Sequence, residues 1–255
     1  MPRLLTVAIV LVTLVCAVWL PAALANAPGE QTVPELTGSA GPTMDRVGGR
    51  PKPVALSVDL GFRSLLPDQL PATLARAELW FTRGAVVNGH LFPSCTAARL
   101  AANRRCPRGS RLGRAQIQAA VGTVADRLDV PLTADLYNGP RGRSVIFHFR
   151  ASQPVSIDVP VQAPLVRVRE RFYAYKLTVP VPENLQVPAG LETSVQRFRV
   201  TVEGTVRRGG RRRGWIETSL CPPGAQVPLR GRFTFRDRVQ KSVTSSIVCG
   251  GRLPG

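Results

Sequence analysis

Four cysteines carry the clearest chemical prediction in this chain. They are Cys95, Cys106, Cys221 and Cys249, and a fifth, Cys16, lies in the apolar N-terminal stretch. An even number of cysteines behind such a stretch favours disulfides over metal binding. Four cysteines allow three pairings, and the local one keeps each pair within one supersecondary unit. We therefore predict the bridges Cys95–Cys106 and Cys221–Cys249.

Residue types suited to catalysis or metal binding are few. No C-x-x-C spacing occurs, and only His90 and His148 could add nitrogen ligands, so we predict no metal site. The H-E-x-x-H, G-x-S-x-G and S-x-x-K patterns are missing from the sequence. A catalytic triad would have to use one of the two histidines, and the sequence places neither in a typical setting. We predict no catalytic residue, no cofactor and no enzyme activity.

Two glutamates lie close to tryptophans on predicted strands, a combination that glycoside hydrolysis could use. Glu78 precedes Trp80 and Glu217 follows Trp215, but the sequence holds no E-x-D-x-E arrangement. A hydrolase would need a cleft with two carboxylates about 5–10 Å apart. The alternative function is therefore a secreted hydrolase, or a carbohydrate-binding module using Trp80, Tyr137 or Trp215, that acts on wall polysaccharide.

Arginine dominates the charge. The chain carries 34 Arg and Lys residues against 16 acids, a net charge of +18, and only three of the 34 are lysines. Such a balance attracts polyanions, although abundant arginine is also what a GC-rich genome encodes throughout. A run of five more arginines lies between positions 207 and 213. Eight arginines share parity on three predicted strands, opposite an apolar face: Arg167, Arg169, Arg171, Arg197, Arg199, Arg230, Arg232 and Arg236.

These eight arginines form the candidate anion-binding site. On neighbouring strands, like charges would face one another and cost stability. Either acids such as Glu170, Glu203 and Asp237 interleave, or a bound polyanion offsets the repulsion. Guanidinium groups suit phosphate, so we predict a sheet face that binds an anionic envelope polymer or lipid headgroups, with no specific nucleic-acid partner. The alternative is a solvated face with no ligand.

The N-terminal residues predict the cellular compartment of the protein. Residues 4–20 form an apolar run behind Arg3, followed by small residues, the pattern of a secretory signal peptide. We predict cleavage between Ala25 and Asn26, because cleavage after Ala27 would place a proline directly beyond the scissile bond. An uncleaved N-terminal anchor is the alternative. After cleavage no transmembrane segment is expected, and the protein is predicted to be secreted or associated with the cell envelope.

Most of the chain, including the eight arginines named above, is predicted to form β-strands. Apolar and polar side chains alternate with period two, which is typical of half-buried antiparallel strands. Turn residues separate the strands, and a hairpin is predicted between 132–137 and 145–150. Only residues 96–103 predict a helix, with Thr96 as its cap. The alternating stretches are 54–60, 145–149, 173–179, 197–203 and 229–236.

The strand pattern predicts an all-β fold. Many short strands with regular turns favour an antiparallel β-sandwich of jelly-roll type with one short helix, and an open β-barrel is the second choice. Residues 53–255 are expected to form this single domain. Residues 26–52, rich in proline and glycine, predict a disordered linker behind the signal peptide of residues 1–25.

Several short motifs are shared with a known group of proteins. They lie at 93–98, 109–113, 136–139, 221–224 and 233–237, together with Cys106, His148 and Cys249. On these residues, over about positions 72–250, the chain resembles uncharacterised secreted proteins of high-GC bacteria. The resemblance implies a secreted, disulfide-bearing, β-rich domain and assigns no catalytic residues. The function expected from the sequence is an exported, non-catalytic β-domain at the cell envelope or outside the cell.

Overall fold

A computed structural model describes residues 27–42 and 49–250. The predicted signal peptide and its cleavage site between Ala25 and Asn26 lie outside the described residues. The helices are α1 Ala97–Ala101 and α2 Glu183–Gln186. The strands are β1 Thr32–Gly41, β2 Lys52–Pro53, β3 Ala55–Ser64, β4 Leu74–Thr82, β5 Ala85–Val87, β6 Arg111–Val121, β7 Leu128–Asn138, β8 Ser144–Ala151, β9 Ile157–Arg167, β10 Tyr173–Pro180, β11 Thr193–Val202, β12 Thr205–Arg208, β13 Arg211–Gly214, β14 Ile216–Thr218, β15 Gln226–Phe235 and β16 Gln240–Cys249.

Eleven of these strands form one closed barrel. Their order around the barrel is β1, β16, β15, β4, β10, β9, β8, β7, β6, β11 and β3, and β3 pairs again with β1. Neighbouring strands are antiparallel except for β1 and β16, which pair in parallel with Gly38 opposite Ile247. A closed sheet leaves no unpaired strand edge. The β1–β16 pair is therefore what completes the barrel.

The all-β prediction is confirmed, but the β-sandwich expected first is not the observed form. The structure is a barrel, the second choice, and it is closed rather than open. Period-two alternation shows only that a strand has one apolar face, which can meet a second sheet or the inside of a barrel. The predicted hairpin is β7–β8, and the predicted helix is α1, where the Thr96 hydroxyl accepts a hydrogen bond from the Arg99 amide.

The segment predicted as a disordered linker contains a barrel strand. Within residues 26–52, Thr32–Gly41 forms β1 and pairs along its whole length with β3. The prediction rested on the scarcity of large apolar side chains, but this strand is held by backbone hydrogen bonds on both sides. Small residues also suit its position. A Cβ on Gly38 would lie only 2.8 Å from Ile247 Cγ1, so the close approach of β16 requires glycine there.

The barrel has two unlike ends, named here by their connections. The loop end has no connection longer than the one at 181–192, which holds α2. The capped end carries a small sheet of β2, β14 and β5, the hairpin β12–β13 and α1. Loop-end connections, with the N-terminal segment, are 27–31, 65–73, 122–127, 152–156, 181–192 and 236–239. Described capped-end connections are 49–54, 83–110, 139–143, 168–172 and 203–225.

Both predicted disulfides are present, and both lie at the capped end. Cys95–Cys106 joins the two flanks of α1, and Cys221–Cys249 ties the segment after β14 to the last residue of β16. By the chain-entropy account, closing loops of these lengths contributes about 3 kcal/mol each. The capped end is thus the covalently reinforced end.

Candidate apolar binding cavity

The inside of the barrel is partly hollow. It holds a space of about 180 Å³ that the centres of water-sized spheres can occupy. Nine of the eleven barrel strands contribute inward-facing residues to its wall. For comparison, a cavity of about 150 Å³ lined by Leu, Ile and Phe stays dry and binds small apolar molecules. The barrel interior is therefore large enough to hold an apolar ligand.

The cavity wall is almost wholly apolar. Among the described residues that line it there is no charged side chain, and its hydroxyl groups belong to Thr82, Tyr175 and Thr193. The Tyr175 hydroxyl accepts a hydrogen bond from the Val87 amide, so it is already engaged. Such a wall would stabilise a bound molecule by van der Waals contact and by burial of apolar surface, and it could form few hydrogen bonds with it.

The side of the interior next to β1 and β15 is filled by packed side chains, and the cavity lies against the other nine strands. Phe62 meets Phe233 and Phe235 edge to face, with ring centroids 5.1 and 5.9 Å apart, beside the buried Leu229. On the opposite side, the inward positions hold both small residues such as Ala119 and large ones such as Phe147. A barrel of eleven strands is wider than the eight-stranded barrels that side chains can just fill. The hollow follows from this width together with the small residues.

At the capped end, Trp215 forms the floor of the cavity. The Trp215 Nε1 donates to Asn138 Oδ1 at 3.0 Å. Asn138 is fully buried at the end of β7, and its Nδ2 contacts the carbonyl oxygens of Gly89, Phe92 and Pro93 at 3.0–3.3 Å. The side-chain amide of Asn138 therefore holds both Trp215 and the turn at residues 89–93 in place.

The loop-end wall of the cavity includes a residue that reaches solvent. Pro180 lines the cavity and is exposed to solvent, and the inward-facing Val195 and Phe198 are only half-buried. Leu185 of α2 is the buried side chain that partly covers this side. Thr193 also lies here, and its buried hydroxyl makes no hydrogen bond. The Thr193 hydroxyl is therefore a buried polar group in the cavity wall that has no partner within the described residues.

The structure separates the predicted anion-binding arginines into two groups. Most of those on β11 and β15 are neutralised by acids on the outer wall. Asp59 pairs with both Arg197 and Arg199 at 2.6 and 2.9 Å, although Asp59 was not among the acids expected to interleave. Burial raises the pKa of the Asp59 carboxyl, but hydrogen bonds from the two arginines outweigh it and the net shift is downward.

The β15 arginines have similar partners. Arg232 pairs with Glu78 at 2.8 Å, and Glu78 also binds Lys176. Burial raises the pKa of Glu78, and hydrogen bonds from Lys176 and Arg232 lower it further than burial raises it. Arg230 pairs with Glu170, one of the acids expected to interleave, and Arg236 pairs with Glu183. This part of the predicted site is an internally compensated ion-pair network.

The second group lies at the end of β9 and on the β9–β10 connection, and two of its three arginines contact aromatic rings. The Arg167 guanidinium lies over the Tyr175 ring at 5.6 Å, and the Arg171 guanidinium lies over Phe172 at 5.1 Å. Arg169 is exposed between them. These three predicted residues lie together at the capped end.

The tryptophans and glutamates considered for sugar chemistry are buried. Trp80 lies on the outer wall beneath Arg230, whose guanidinium is 4.2 Å from the ring centroid. Glu217 is 2% exposed and bonds to Arg213 and to the Gly214 amide. Burial raises the pKa of Glu217. Hydrogen bonds, of which the one from Arg213 has the largest effect, outweigh burial, and the pKa is lowered overall. Trp80 and Trp215 therefore present no exposed aromatic face.

The histidines also lie apart from the cavity. His148 faces outward on β8 and its Nε2 bonds to Asp158, while His90 is exposed in the turn after β5. In the described part of the chain, no group of three His, Cys, Asp or Glu side chains could hold a metal ion. No helix within residues 27–42 and 49–250 has the length and apolar character to cross a membrane.

Sequence reasoning did not identify the cavity. The alternating stretches predicted only an apolar face, and a packed interior and a hollow one have the same alternation. Comparison with known proteins gives no match among family models, curated proteins or solved structures.

Proposed function

We propose that this protein is a non-catalytic binding protein that holds the aliphatic chain of a neutral, lipid-like molecule inside its barrel. The observation that supports the proposal is a charge-free apolar cavity that is lined by the buried Trp215 at one end and by the solvent-exposed Pro180 at the other. Such a cavity has no charged group with which to pair an ionised ligand. The chain of the ligand would lie within the barrel, and its polar end would stay at the loop end near Thr193.

The loop end favours a neutral polar group over an anionic one. The loop-end connections carry six acids and three arginines, so a free carboxylate would meet more acids than arginines on these connections. A hydroxyl or ester group has no such penalty and can bond to the unpartnered Thr193 hydroxyl. We therefore propose a fatty alcohol or an acyl ester as the ligand class. This function fits the expected export of the protein, because apolar molecules need a carrier in water.

The first test is binding of the neutral fluorescent probe N-phenyl-1-naphthylamine to the purified, oxidised protein. Displacement by n-alkanols of increasing length would then measure the contribution of each methylene. Burial of one methylene is worth about 0.8 kcal/mol, so affinity should rise about fourfold per added carbon until the chain fills the cavity. Fatty acids of equal length should bind more weakly than the alcohols.

Matched variants locate the ligand. Ala119 lines the cavity, and Gln118, its neighbour on β6, is exposed on the outer wall. Ala119→Phe should abolish displacement by long alkanols while Gln118→Phe, which adds a ring outside, leaves it unchanged. Ala119→Leu gives a smaller obstruction if the phenylalanine variant does not fold. No probe binding by the unmodified protein, or equal binding by folded Ala119 and Gln118 variants, would contradict the proposal.

A further inference from the structure

The charges of the chain are divided between the two ends of the barrel. The described capped-end connections hold sixteen arginines and lysines and three glutamates. The loop-end connections hold three arginines and six acids. The strand patterns do not reveal this division, because it depends on which connections the topology brings to the same end. One end of the molecule is therefore strongly basic.

Few of these basic groups are neutralised. Among the described residues, Arg213 is the one capped-end cation that pairs with an acid, Glu217. Arg83, Arg169 and Arg171 all lie on exposed turns near the β9–β10 connection. Unlike the wall arginines that pair with Asp59 and Glu78, these guanidinium groups keep their capacity to bind an external anion.

The hairpin β12–β13 concentrates this charge. Arg207 lies directly opposite Arg212, and Arg208 directly opposite Arg211, and all four are exposed. Like charges directly across a strand pair destabilise it. The turn at Gly209–Gly210 uses positive φ angles of 55° and 73°, which glycine adopts readily. A bound row of anions would offset the repulsion along this hairpin.

Exposed apolar side chains lie among the basic groups at this end. Phe172 is 55% exposed and Leu220 is 40% exposed. They flank one turn, since the Arg83 amide donates to the Phe172 carbonyl at 3.1 Å and Gly84 packs against the Leu220 side chain. Val86, also exposed, follows directly on β5. A soluble polyanion would be bound through charge alone and would leave these side chains in water.

We infer that the capped end docks on a membrane surface that carries anionic phospholipids. The arginines would bind lipid phosphates, and the side chains of Phe172 and Leu220 would enter the boundary between headgroups and acyl chains. This inference is independent of the cavity. It places the loop end of the barrel away from the membrane.

Vesicle flotation tests the inference with the full exported chain. Vesicles of phosphatidylcholine alone are compared with vesicles containing about 30% phosphatidylglycerol, at about 50 and 500 mM salt. We expect binding only to the anionic vesicles and its loss at high salt. Replacing the four hairpin arginines by serine should weaken binding about fivefold per residue removed. The matched control replaces four exposed arginines at or near the loop end: Arg63, Arg76, Arg127 and Arg238.

Phe172→Ser separates a membrane from a soluble polyanion, because it removes insertion and leaves the charge unchanged. We expect it to weaken vesicle binding and to leave binding of polyphosphate unaffected. The inference is overturned if no binding to anionic vesicles occurs at low salt. It is also overturned if the control set weakens binding as much as the hairpin set. Vesicle binding that Phe172→Ser does not change would show a polyanion-binding surface instead.

Discussion

Replacing Asn138 by alanine should loosen the cavity floor and destabilise the fold. The Asn138 amide bonds to Trp215 Nε1 and contacts three carbonyl oxygens of the turn at residues 89–93. Alanine retains the strand position and removes all of these contacts. Of the three carbonyls, that of Gly89 keeps a second donor, the Phe92 amide at 3.2 Å. The Trp215 indole N–H is left buried without a partner.

The expected loss follows from these groups. A buried donor without a partner costs about 1–3 kcal/mol, and each hydrogen bond lost beyond it costs about 1 kcal/mol. Two carbonyls and one indole are affected, so the free energy of unfolding should fall by about 3–5 kcal/mol. This is a large part of the total stability of about 5–15 kcal/mol that folded proteins have.

Urea unfolding, followed by far-ultraviolet circular dichroism, measures the change. Asn184→Ala, at an exposed position in α2, is the control and should alter the free energy of unfolding by less than about 0.5 kcal/mol. Trp215→Phe and the double variant complete a cycle, in which the two sites should couple by about 1–2 kcal/mol. A loss below about 1 kcal/mol for Asn138→Ala, or strictly additive effects, would refute the reasoning.

Two further predictions concern a carboxylate and a glycine. Because the folded-state pKa of Glu217 is below its unfolded value, its stabilising effect is complete above about pH 5 and is lost as the pH falls below about 4. The difference in unfolding free energy between wild type and Glu217→Gln should therefore shrink between pH 7 and pH 3 in urea titrations; a constant difference would contradict this assignment. A Cβ on Gly113 would lie 1.9 Å from the Thr201 carbonyl oxygen, so Gly113→Ala should cost at least about 3 kcal/mol. Gly61→Ala, whose new methyl group would lie 3.7 Å from Glu35 Cβ, should cost less than about 0.5 kcal/mol, and equal losses in thermal unfolding would show that the contact is relieved cheaply.

Local features of the fold could be predicted from the sequence. Strand parity correctly placed Leu56, Val58 and Leu60 on an inward face, and it placed Arg197 and Arg199 outward. The disulfide pairs and α1 followed from spacing and capping. These features depend on residues close together in the chain, where periodicity and turn chemistry act directly.

Features that depend on distant neighbours could not be predicted in this way. The partner of Arg197 is Asp59, and nothing in either strand shows that β3 and β11 are adjacent. Closure of the barrel depends on β1, whose small and polar residues resemble a linker. The hollow depends on strand number, which local alternation does not encode. The candidate site arises from these long-range properties, so the sequence alone did not reveal it.

The parallel pairing of β1 with β16 has a consequence for synthesis. The two strands lie about two hundred residues apart in the chain, and β1 cannot pair with β16 until synthesis has reached residue 249. Before then the growing sheet has unpaired strand edges, which favour aggregation. Contacts of such long range also slow folding. The seam between the first and the last barrel strand is therefore the final contact of the barrel that the chain can form.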